Sequence, residues 1–97
     1  AIEADDGNPE LRRRARGVME EWRGLIQRTV ARGIERGEVR ADADGDALAT
    51  LMIALLEGGI MMTNLYGDPV HLLRAVDHLD GHIARQVAAP APAGTGA

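Results

Sequence analysis

From Leu48 to Leu65 the sequence places large apolar residues all the way round a helix: Leu48, Leu51, Met52, Ile53, Leu55, Leu56, Ile60, Met61, Met62 and Leu65. A helix at the surface of a globular protein needs one apolar stripe, and a helix apolar on every side needs a cover on every side. The stretch Ala47–Tyr66 is long enough to cross a membrane, but Glu57 lies near its centre beside Thr50, Thr63 and Asn64, and basic flanks are lacking. We therefore expect a buried helix and no membrane partner. A chain of 97 residues supplies too little polypeptide to wrap it alone, so part of its surface is expected to meet a second subunit.

Two further helices are marked by their punctuation. Asn8-Pro9-Glu10 opens the first, with Asn8 as N-cap and Pro9 at a position where its missing N–H costs nothing. Leu11, Ala15, Val18, Trp22, Leu25 and Thr29 then recur at alternating spacings of four and three, and Gly37 is the predicted stop. Asp44 is expected to cap the apolar helix, which runs from about Gly45 to Tyr66. Tyr66-Gly67-Asp68-Pro69 closes it and opens a third helix, expected from Pro69 to about Val87 with Leu72, Val76, Leu79, Ile83 and Val87 on one face. The reading is all-α, with residues 1–8 a remnant of a preceding element, 9–87 one domain, and 88–97 a disordered tail of Ala, Pro, Gly and Thr.

Composition excludes much. There is no Cys, Ser or Lys, which removes disulfides, thiolate metal sites and the common nucleophiles, and no catalytic residue or cofactor is assigned. A net charge of −4 is the wrong sign for gripping DNA, and the cluster Arg12, Arg13, Arg14 and Arg16 has Glu10, Glu20 and Glu21 beside it. Asp42, Asp44 and Asp46 alternate as in a calcium loop, but no glycine follows at the sixth position and the twelfth is Ile53. His71, His78 and His82 share one flank of the third helix, and we read them as the rim of an apolar face rather than as metal ligands.

The order of these pieces resembles the C-terminal half of TetR-family repressors. The resemblance is carried by the long helix with Trp22, the run ARGIERGEVRADADGDALA from Ala31 to Ala49, and LLEGGIMMTNLYGDPVHL from Leu55 to Leu72, and it covers about Pro9 to Val87. It implies that the last two helices pair with their symmetry mates in a four-helix bundle across a homodimer, while the long first helix walls a small-molecule pocket. DNA would be read only by an N-terminal helix-turn-helix not present in this chain, in the cytoplasm.

For a pocket taking a small apolar effector the candidates are Met19, Trp22, Ile26, Met52, Leu56 and Glu57, the alternative being that they are ordinary core. The lone carboxylate, Glu57, could meet a ligand amine, an Arg across the dimer, or water at a rim. For the dimer seam they are Leu55, Gly58, Gly59, Met62, Leu72, Val76, Leu79 and Ile83, with Gly58-Gly59 allowing close backbone approach. A helical dimerisation module without a ligand is the second reading.

Overall fold

A computed structural model describes residues 7–90 of the chain. Helix α1 spans Pro9–Glu35, and the Asn8 side chain accepts from the Leu11 N–H at 3.0 Å as its first residues require. Gly37 takes φ +72°, the left-handed conformation that turns the chain out of the helix. Helix α2 spans Gly45–Tyr66 and is capped by Asp44, whose Oδ1 accepts from the Asp46 and Ala47 N–H groups. It closes at Gly67, φ +66°. Helix α3 spans Val70–His82, one residue later than expected, and Asp68 Oδ1 accepts from the Val70 N–H at 3.0 Å.

The third helix runs on to Val87 as expected, but its last turn changes form. Ile83–Val87 forms a π-helical turn, and the backbone beyond it pairs with the loop after α1. Arg40 N–H donates to the Val87 carbonyl and Ala89 N–H to the Glu38 carbonyl, each at 2.9 Å, around an antiparallel bridge between Val39 and Ala88. Order therefore extends past residue 87, because these backbone groups find partners in the loop. Residues 1–6 and 91–97, which make up most of the expected N-terminal remnant and tail, lie outside the described residues.

Helix α2 lies between α1 and α3, which do not approach one another. The three helices form an open row rather than a closed bundle, measuring 59 × 30 × 13 Å. A row buries little: among the described residues Val30, Leu48 and Val87, one from each helical segment, form the core cluster, and Ala49 and Leu79 are the other buried hydrophobic residues. Ile60, Met61, Met62, Leu65, Leu73 and Val76 remain exposed. On α2 the residues Leu51, Leu55, Gly58, Met62 and Leu65 recur at spacings of four and three, a stripe distinct from the Ile53–Leu56–Ile60 flank.

The seam expected between α2 and α3 of two subunits is partly a seam within one. A Cβ at Gly59 would stand 3.1 Å from the Leu72 Cα and 3.2 Å from the Ala75 Cβ of the same chain, whereas one at Gly58 would meet nothing. Leu79 is likewise buried within the chain, and Ile83 packs against the core cluster. Gly59 and Leu79 are thus buried within the chain, and Leu72 and Ile83 are half-buried, because α2 and α3 bury those flanks against each other. Leu55, Gly58, Met62 and Val76 keep surface that internal packing does not cover.

Candidate apolar cleft

Between α1 and α2 lies a cleft of about 270 Å³, lined by Trp22, Leu25 and Ile26 from one helix and Met52, Ile53 and Leu56 from the other. Spacings of three and four bring each trio to one face of its helix. The inner wall is continuous with the core, since Ile26 and Met52 pack against Val30, Leu48 and Val87. The mouth is open: Trp22 is 55% and Leu25 56% exposed. Apart from the indole N–H of Trp22, these side chains offer only hydrocarbon and a thioether, so the cleft can take up apolar surface but has no group for acid, base or nucleophilic work.

Trp22, Ile26, Met52 and Leu56, all expected pocket residues, come together here. Met19 and Glu57 do not. Met19 is half-buried about a turn before Trp22, and Glu57 is exposed because the helix turns it away from the α1 side, leaving water to solvate its carboxylate. Leu25 and Ile53 were missed as lining residues, although each stood in an apolar series; only the pairing of α1 with α2 shows which flank of that series faces inward.

Polar ties close the cleft's neighbouring edge. Asp46, in the first turn of α2, accepts from the Arg23 guanidinium and, at 3.2 Å, from Gln27 Nε2. Because the Asp46 side chain is 65% exposed, solvent screens the pair, and we expect Asp46→Ala to destabilise the fold by only about 1 kcal/mol in chemical denaturation.

Elsewhere, a more polar depression of about 280 Å³ lies among Arg40, Asp42, Asp44, His82 and Gln86. The hydrogen bond and charge of Arg40 hold the Asp42 carboxyl below its ordinary value of 3.8. A lowered folded-state value means that this pair stabilises above the ordinary Asp range and fades as pH falls through the lowered value. Denaturation midpoints of the parent and Asp42→Asn should accordingly differ slightly at pH 7 and converge in stronger acid. The His71 ring packs at 5.2 Å from that of Tyr66, and among the described residues no group of three or more His, Asp or Glu is placed to hold a metal ion.

Residues 1–79 match the family model described as "Tetracyclin repressor-like, C-terminal domain". Among solved structures, the chain is similar to a TetR transcriptional regulator from Chloroflexus aurantiacus, with a TM-score of 0.90 and 44% identity, over 93% of this chain and 46% of that one. The chain therefore spans about half the length of that regulator. No curated protein matches it.

Proposed function

The chain belongs to the TetR-like C-terminal domain family of transcriptional regulators, and from that premise we propose that it is the effector-sensing and dimerisation part of a cytoplasmic repressor. The family is one of regulators rather than catalysts, in keeping with a chain that lacks Ser, Cys and Lys. One observation supports the proposal above the rest: α2 carries two apolar flanks in an open row. The Met52–Ile53–Leu56 flank borders the cleft, and the Leu51–Leu55–Gly58–Met62–Leu65 flank, half-buried at its first three residues and exposed at Met62 and Leu65, keeps apolar surface for a second copy. A symmetric copy laid on that second flank and on Val76 of α3 builds a four-helix bundle.

In this reading a small apolar effector enters between α1 and α2 and favours one setting of α1. It changes DNA affinity at a helix-turn-helix elsewhere in the polypeptide only to the extent that it binds the two settings unequally. The cleft is slightly below the usual size of a small-molecule site, about 300 to 1,000 Å³, so such an effector fills it and meets water at the Trp22 mouth.

Trp22 is the sole tryptophan and reports directly on the cleft. Titration with naphthalene as an apolar probe should shift its emission saturably, and Ile53→Asp should weaken binding at least tenfold without changing subunit count. Linear, unsaturable quenching would reject the sensing role and leave the dimerisation module, a reading favoured by the modest volume of the cleft.

A further inference from the structure

We infer that the polar depression between the loop after α1 and the end of α3 is a second binding site, separate from the apolar cleft, for a compact organic monocation with an apolar body.

The depression, about 280 Å³, shares no lining residue with the cleft. Its floor is hydrocarbon from Ala43, Ala47, Leu48 and Val87, and it ends on the core, where Leu48 and Val87 are buried with Val30. Backbone hydrogen bonds hold the surrounding segments in place. Arg40 N–H donates to the Val87 carbonyl at 2.9 Å, Ala43 N–H to the Arg40 carbonyl at 3.0 Å, and Ala88 N–H to the Ile83 carbonyl at 2.8 Å, closing the π-helical turn. Such turns are rare and recur at functional sites. In this one Val87 is carried into the core, while His82 and Gln86, four residues apart, stand along the wall of the depression. A cavity shaped by backbone contacts is formed before any ligand arrives, so binding loses little to ordering the chain.

Charge decides the class of ligand. Arg40 Nε and Nη2 donate to the two carboxylate oxygens of Asp42 at 3.1 and 3.3 Å, and this pair cancels its own charge. Asp44 is then the one lining carboxylate with no cation beside it among the described residues. Its Oδ1 accepts from the Asp46 and Ala47 N–H groups, and no hydrogen bond among the described residues uses its Oδ2. The start of α2 contributes about half a positive charge, which one full carboxylate outweighs. An anion would therefore be repelled and a cation drawn in. Asp44 is exposed, so water screens that attraction, and a bare ion would gain little from it. The ligand needs an apolar body to cover the floor as well, with His82 and Gln86 offering polar atoms at its side.

Three probes of one shape separate these contributions: phenethylammonium, neutral 2-phenylethanol and anionic 3-phenylpropionate, each titrated into the isotopically labelled 97-residue chain and followed by amide chemical shifts. Phenethylammonium should shift the amides of Ala43, Asp44, Ala47 and Val87 saturably, and the other two should bind at least about tenfold more weakly. Asp44→Asn keeps an N-capping side chain and removes the charge, so it should weaken phenethylammonium about tenfold. Asp68→Asn makes the same change of net charge at the start of α3, outside the depression, and should leave its affinity as in the parent.

Equal binding of the three probes, no saturable shift up to about 10 mM, or full affinity in Asp44→Asn would overturn the site. So would saturable shifts confined to Trp22 and its neighbours, which would place the cation in the cleft instead. Should Asp44→Asn fail to fold, Ala47→Leu decides: it fills the floor from an exposed helix position, and it must abolish the shifts at Ala43 and Val87. Persistence of those shifts overturns the site. Naphthalene binding at Trp22 is read separately, so either proposal can fail while the other stands.

Discussion

Replacing Met62 with glutamate should turn a particle of twice the 10.4 kDa chain mass into one of the chain mass itself in sedimentation at micromolar concentration. Met62 is 41% exposed in the single chain, so the subunit can hold a carboxylate there in contact with water. In the proposed symmetric pair the same carboxylate would be buried against apolar side chains and, because a two-fold interface repeats every contact, buried twice. At about 3 kcal/mol per subunit the loss is about 6 kcal/mol, or a dissociation constant weaker by about four orders of magnitude. Arg12→Glu, at an exposed position of α1 away from that stripe, should leave the mass doubled. A Met62→Glu protein that sediments like the parent would show that the Leu51–Leu65 stripe is not the joint.

The neighbouring glycines should respond in opposite directions. Gly59→Leu brings a side chain to where a Cβ alone would stand 3.1 Å from the Leu72 Cα. Backbone cannot rotate away as a side-chain tip can, so α2 and α3 must separate along their main contact, at a cost of about 3 kcal/mol. In a domain with so few buried residues, that is a large part of its stability, and we expect the cooperative thermal transition to drop by ten degrees or more. Gly58→Ala meets nothing within 4 Å in the chain and removes a helix-weakening residue, for a gain of up to about 1 kcal/mol within the subunit. Equal responses at 58 and 59 in thermal denaturation would contradict the α2–α3 crossing described above.

Helix boundaries were legible in the sequence because their causes are local. Asn8 before Pro9, Asp44 before Gly45, and the left-handed glycines 37 and 67 each act through backbone groups only a few residues away. The cleft was legible in part. Periodicity put Trp22 and Ile26 on one helix and Met52 and Leu56 on another, but α2 is apolar on every side, so no period could tell its α1 flank from its outer flank. That ambiguity explains the missed Ile53 and leaves the sequence unable to tell that Gly59 and Leu79 are already buried within the chain. Glu57 drew attention as the one charge in an oily run, and its position on the helix circumference sends it to water. The pairing of Val39 with Ala88 left no trace in the sequence, since backbone hydrogen bonds between segments 49 residues apart demand no particular side chains.

An open row of three helices also has a consequence for abundance. If acquiring a cover and acquiring a stable fold are the same step, the melting temperature rises with protein concentration, and each newly made copy waits in a form that proteases can attack. Scarce copies would be cleared quickly while plentiful ones pair and persist, so the supply of this polypeptide would set its own lifetime.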